Sequence, residues 1–158
     1  MTATTSEPSP QVPRWLVRTI WTVHRAAYRV TGGRFGLRTA TDSRWGMLRL
    51  RSVGRRTGKE RVAIVGFIEH GGKVVIPAMN GWADPEPAWW LNLQANPEAT
   101  VELPDGQRRA VRARATIGEE RERLWAEFVA LGSAAFTDAN AALRSRETAI
   151  IVLEPRPE

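Results

Sequence analysis

Two connections in this chain are too short for anything but hairpins, and they constrain the fold more than any other feature. Arg61 to Glu69 and Lys73 to Met79 are runs rich in β-branched residues, joined across His70-Gly71-Gly72. Ala99 to Leu103 meets Gln107 to Thr116 across Pro104-Asp105-Gly106. Turns this tight join antiparallel neighbours, because a parallel crossover needs about a dozen residues or more. Trp45 to Val53 adds a run in which Leu48 and Leu50 alternate with Arg49 and Arg51, the spacing of a half-buried strand. Thr148 to Leu153 closes the series. Arg112 and Arg114 alternate with Val111, Ala113 and Ala115, which predicts a strand with one solvated face. Pro77 marks a strand end or an edge, where backbone groups are free to meet a ligand. Helices are expected near Pro87 to Ala95, Glu119 to Leu131 and Asp138 to Arg144. The pattern predicts a mainly β fold with α decoration, a small barrel of about six antiparallel strands over residues 45–155.

A chain of 158 residues supports one domain with a single core. It has no cysteine, which excludes a disulfide framework and thiolate chemistry, and its two histidines stand far apart, so no metal site is expected. The net charge of +6 conceals a pole: residues 1–61 hold 13 basic and 3 acidic side chains, and the remainder is net acidic. Such a pole attracts phosphate, whether in nucleic acid, lipid headgroups or a phosphorylated cofactor. No nucleic-acid motif accompanies it, so nucleic acid is not an expected partner.

Residues 1–12 are polar and Pro-rich and read as a disordered leader, with neither the basic start nor the apolar core of a signal peptide. With no apolar stretch long enough to span a bilayer, a cytoplasmic location is expected. Residues 13–31 read as a helix that starts at Pro13 and stops at Gly32-Gly33. On it Arg14, Arg18, Arg25 and Arg29 share a wedge of about 60°, opposite Leu16, Ile20, Val23 and Ala27. The stripe suits a helix lying in the interface of an anionic membrane, and equally a surface helix packed on a core.

Two segments carry the functional signal. Gly54-Arg55-Arg56-Thr57-Gly58-Lys59-Glu60-Arg61 places four cations between glycines and between two strands. Glycine lets backbone amides converge on one point, and guanidinium forks with a hydroxyl would complete a phosphate site; a solvated turn is the plain alternative. It is not a Walker loop, since the Gly-Lys-Ser/Thr ending is missing. The second segment, Ala83 to Pro97, predicts a short helix capped by Asp84 and ended by Asn96-Pro97. Adjacent Trp89 and Trp90 cannot face the same way on it, so one is expected in the core and the other toward a pocket or partner.

Together the two segments resemble the deazaflavin-dependent nitroreductase and quinone reductase family of the flavin-binding split barrels. Gly54 to Arg61 is similar to its Gly-Arg-Lys/Arg-Ser/Thr-Gly-x-x-Arg segment, and Pro87 to Pro97 to its Pro-x-Trp-x-x-Asn-Leu-x-Ala-Asn-Pro segment. The resemblance runs from about Leu48 to Glu154. It implies a split barrel that binds coenzyme F-420, an 8-hydroxy-5-deazaflavin with a phosphate-bearing tail, with FMN the lesser alternative. It implies hydride transfer to a hydrophobic acceptor such as a quinone or nitro compound; a non-catalytic barrel that holds the deazaflavin, FMN, haem or a lipid is the alternative. By matched position Arg55, Arg56, Thr57 and Arg61 would bind the phosphate and tail, with Lys59 close by. Val62, Ala63 and Ile64 would line the strand beside the ring, as would Pro77, Ala78, Met79 and Asn80. Ala88, Trp89, Trp90 and Asn92 would close the site. Members often carry a basic N-terminal helix that brings them to the membrane, which the helix over 13–31 matches. Three departures stand out: the acceptor-side tyrosine has no counterpart in Ala135-Phe136-Thr137-Asp138, Met79 replaces a serine, and Pro85 replaces a basic residue. No residue is assigned as catalytic.

Overall fold

A computed structural model of the protein describes residues 36–79, 85–132 and 145–157, together with Thr19. The chain divides into two units, residues 1–36 and 37–158, and everything below concerns the second. The expected leader over 1–12, the helix over 13–31 and the short helix at Asp138 to Arg144 lie outside the described residues.

Six strands, β1 (Gly46–Val53), β2 (Glu60–His70), β3 (Lys73–Pro77), β4 (Glu98–Glu102), β5 (Arg108–Ala115) and β6 (Ile150–Pro155), close into a barrel in the order β1-β2-β3-β6-β5-β4. Every pairing is antiparallel. Helix α1 (Ala88–Ala95) joins β3 to β4, and α2 (Gly118–Leu131) stands between β5 and β6. The Gly71-Gly72 turn is the two-residue hairpin expected, with His70 opposite Lys73.

Alternation decides which side chains enter the lumen. Leu48 and Leu50 of β1 point inward beside Val65 and Ala63 of β2, their cross-strand partners, and are fully buried. Slipping this register by one residue would turn the arginines inward, at a cost of several kcal/mol per unpaired charge, on the order of the effective burial penalty of an ion. A second core lies outside the barrel wall, where Ile68, Val75, Ile150 and Val152 meet Leu124 and Phe128 of α2. Strand β6 is therefore buried on both faces, which is why its sequence is an unbroken apolar run instead of an alternating one. Phe128 is wholly buried, with Trp45 edge-on to its ring at 6.2 Å between centroids; truncating such a side chain to Ala costs about 3–5 kcal/mol.

Two local expectations need correction. Strand β3 ends at Pro77 and not at Met79: Pro77 is the last residue paired with β6, and Met79 N–H bonds back to Pro77 O at 2.8 Å, so the chain turns away. Helix α1 has Pro87 at its N-cap, with no side-chain capping bond, and Asp84 lies outside the described residues. Among the described residues, no helix is long and apolar enough to cross a membrane.

Candidate functional site: a cationic turn joined to a tryptophan helix

Between β1 and β2 the chain makes a tight, exposed turn. Gly54 N–H bonds Lys59 O at 2.8 Å and Gly58 N–H bonds Gly54 O at 2.8 Å. Gly58 sits at φ +66°, a left-handed conformation that disfavours a side chain. Gly54 is buried so closely that a Cβ there would stand 3.1 Å from Lys59 O and 3.2 Å from the Arg61 side chain.

The amides of this turn do not converge on an empty point, contrary to the sequence-based expectation. Thr57 N–H is spent on Gly54 O, Lys59 N–H on Thr57 Oγ1 at 3.4 Å, and Arg55 N–H on Asn92 Oδ1 at 3.1 Å. Of the amides from Gly54 to Lys59, that of Arg56 alone has no partner among the described residues. An anion here must be held by side chains.

Those side chains are available. Arg55, Arg56, Lys59 and Arg61 are all exposed, and among the described residues none has a carboxylate partner. Arg61 Nη2 donates to Thr57 Oγ1 at 3.3 Å, which holds one guanidinium over the turn. The nearest acidic residue in sequence, Glu60, is drawn away to Arg51 Nη1 at 2.7 Å. Four like charges within seven residues repel one another in the free protein, weakly because solvent screens them, and a polyanion would relieve that repulsion.

The Asn92 bond ties this turn to α1, so the two segments singled out by sequence are physically joined. Helix α1 presents Trp89, Trp90 and Leu93 to the lumen cluster, together with Ala78. Both tryptophans are buried, at 9% and 6% exposure, and both join the same core cluster. The helix is sunk into the barrel end, so neighbouring positions 100° apart both meet protein. Trp90 Nε1 is buried without a hydrogen-bond partner among the described residues.

The remaining positions separate by strand alternation. Val62 and Ile64 stand on the outer face of β2, opposite Arg51 and Arg49, whereas Ala63 packs against the lumen. Val62 is 44% exposed, a large apolar side chain adjoining the cationic turn. Pro77 and Ala78 are buried, Met79 is half-buried, Ala88 is exposed and Asn80 lies outside the described residues.

Sequence reading missed two arginine contacts. Arg146 Nη2 donates to Ala78 O at 3.3 Å and Pro85 O at 3.4 Å, bracketing the approach to α1; nothing in its charged surroundings signalled this. Arg49, beneath Ile64 on the outer face, reaches Glu102 at 3.2 Å and is almost fully buried. A further cleft of about 260 Å³ beside α2 is lined by His70, Lys73, Arg114, Glu120 and Arg123 over Val75. Its charges are mostly spent on one another: Arg114 grips Glu120 with two bonds at 2.8 and 3.0 Å, and Lys73 reaches Glu154 at 3.2 Å. The bonds from Arg114 hold the Glu120 carboxyl below its usual range, and those from Lys73 and then Arg114 do the same for Glu154.

A closed antiparallel barrel with a helix packed into one end and an exposed cationic turn without carboxylate partners among the described residues defines a split-barrel protein. The chain belongs to the F-420H(2)-dependent quinone reductase family, whose model matches residues 20–155. An F-420H(2)-dependent quinone reductase of Mycobacterium tuberculosis strain H37Rv is 32% identical over 98 residues, covering 58% of this chain and 63% of the relative. This chain thus matches less than two thirds of that relative's length. A solved F-420-H2 dependent reductase, FDR-A, is 26% identical, with a TM-score of 0.61 over 68% of this chain and 93% of that one. A haem-binding protein of Mycobacterium smegmatis shares the fold alone, at 17% identity and TM-score 0.53 over 72% of this chain and 47% of that one. The barrel by itself does not select a cofactor.

Proposed function

We propose that this protein is an oxidoreductase that passes hydride from reduced coenzyme F-420 to a flat hydrophobic acceptor of the quinone class. The observation that carries the reading is the turn of four cations, without carboxylate partners among the described residues, bonded through Asn92 to the tryptophan helix. The residues fit the coenzyme's chemistry. Arg55, Arg56, Lys59 and Arg61 offer the phosphate of the tail charge-assisted hydrogen bonds, each worth about 1.5–3 kcal/mol. Val62 and Ile64 offer apolar surface beside that grip on the same outer face. Thr57 orients Arg61, and Trp89 and Trp90 keep α1 seated in the barrel end.

When bound, the deazaflavin supplies the hydride. The protein's part is to orient, to exclude water and to place a donor near the charge that develops on the acceptor. Trp90 Nε1, buried on α1 without a partner among the described residues, is a candidate for that donor. The family's acceptor-side tyrosine has no counterpart in the stretch Ala135 to Asp138, so quinones are favoured over nitro compounds as acceptors.

Fluorescence titration with oxidised coenzyme F-420 tests the reading, with micromolar binding expected. Oxidation of the reduced form by a soluble quinone tests turnover; binding without oxidation across a quinone panel would favour a carrier over an enzyme. Peripheral membrane contact through residues 13–30 is part of the proposal, supported by the arginine stripe of the sequence. In liposome flotation, replacing Arg14, Arg18, Arg25 and Arg29 by Gln is expected to release the protein from anionic vesicles.

A further inference from the structure

We infer that Asn92 is a positioning residue: it pins the β1–β2 turn to α1, so that the helix bearing the tryptophans sets the direction in which the tail-gripping cations point. The inference rests on the coenzyme reading above and assigns to Asn92 a task other than touching the ligand.

Asn92 is only 5% exposed although it lies within a helix, whose backbone groups already bond one another. Burying an amide without a partner is costly, so a buried Asn is expected to be satisfied by something specific. Its Oδ1 accepts from Arg55 N–H at 3.1 Å, across 37 positions of sequence. The other bonds of the turn run within it or into the adjoining start of β2: Gly54 to Lys59, Gly58 to Gly54, Arg61 to Thr57. Such bonds give the turn its shape and leave its orientation toward the rest of the protein open. Among the described residues, the Asn92 bond is the one that ties the turn to an element outside β1 and β2.

It acts at the first cation of the four, and it uses up a backbone donor that an anion would otherwise claim. The bond therefore serves geometry at the expense of direct binding. Since α1 packs against both β1 and β2, a fixed distance between Asn92 and Arg55 passes the seat of the helix on to the guanidinium cluster. Tail binding and the seating of α1 are thereby coupled.

Two variants and two readouts test this. Asn92→Leu keeps the volume and removes the acceptor, and Asn92→Asp keeps an acceptor at the same reach. The first readout needs no ligand: limited trypsin digestion, followed by mass spectrometry of cleavage after Arg55, Arg56 and Lys59 relative to Arg108 and Arg112 on β5. The second is fluorescence titration with coenzyme F-420 and with its tail-less analogue, 8-hydroxy-5-deazariboflavin.

For Asn92→Leu, cleavage in the turn is expected to rise several-fold while cleavage on β5 stays at the wild-type rate, and Asn92→Asp is expected to retain wild-type protection. Losing one buried hydrogen bond should weaken the phosphate-bearing coenzyme about tenfold and the tail-less analogue less than about twofold. Equal loss for both probes, wild-type protection of the turn in Asn92→Leu, or cleavage of Asn92→Asp as fast as that of Asn92→Leu would each overturn the inference. Should wild type bind neither probe, the coenzyme reading fails, and the digestion still decides the role of Asn92.

Discussion

Arginines on two sides of the same barrel live under opposite conditions. On the flank formed by β4, β5, β6 and α2, most strand arginines find a carboxylate: Arg108 reaches Glu102, Arg112 and, just past β6, Arg156 share Glu98, and Arg114 bridges Glu120 and Glu154, while Arg109 donates to Gln107. At the β1–β2 turn, Arg55, Arg56, Lys59 and Arg61 have no such partner among the described residues, and the nearest glutamate in sequence is committed to Arg51. The flank is largely neutralised without a ligand. The turn is not, and the contrast teaches that a basic segment is a binding candidate when the fold withholds its counter-ions, however basic its neighbours are.

The largest expected effect comes from emptying the turn. Replacing Arg55, Arg56, Lys59 and Arg61 together by Gln should weaken coenzyme binding by about 100-fold or more, since several charge-assisted bonds are lost. Because no ion pair among the described residues is broken, the melting temperature should stay within about 2 °C of wild type. Affinity measured by fluorescence and a thermal melt of the same sample check both halves; a large drop in melting temperature would erase the contrast.

Next is the backbone of the turn. Gly58→Val forces a β-branched residue to φ +66° and should cost about 1–2 kcal/mol, read as a denaturation midpoint shift, with a several-fold loss of coenzyme affinity.

Third is the largely neutralised flank. Arg114→Gln should leave coenzyme affinity within about twofold and stability within about 1 kcal/mol, as for an exposed ion pair. An affinity loss comparable to that of the turn variants would mean that the two regions are not separate.

The smallest effect is the pH response of that flank. Glu120 and Glu154 ionise more readily in the folded state than in the unfolded one, so their contribution to stability is complete above the ordinary glutamate value near pH ~4.3. It declines as pH falls through their lowered folded values. Acid titration followed by amide exchange on β5 and α2 should show these elements loosening in that window, and Arg114→Gln should shrink the response.

Much of the barrel was legible because period-2 alternation and short turns are local signals. Leu48 and Leu50 against Arg49 and Arg51 already state which face is inside, and Gly71-Gly72 states that β2 and β3 are antiparallel neighbours. The double burial of β6 was not legible: an apolar run such as Ile150 to Leu153 reads alike whether one wall or two cover it, and only α2 decides. Both tryptophans enter the lumen for a similar reason, since helix geometry says that they diverge by 100° and cannot say that the helix is enclosed.

The candidate site divides along the same line. Composition and spacing alone determined that a cationic, glycine-bounded turn joins two strands and that a short tryptophan-bearing helix follows, because residue identity and chain connectivity suffice for both. What only the tertiary structure decided is that all but one of the turn's amides are spent, that its cations lack carboxylates among the described residues, and that Asn92 fastens it to the helix. Those facts depend on which groups become neighbours when distant segments pack. Hydrogen bonds and ion pairs act over a few ångströms of space, whatever the distance along the chain.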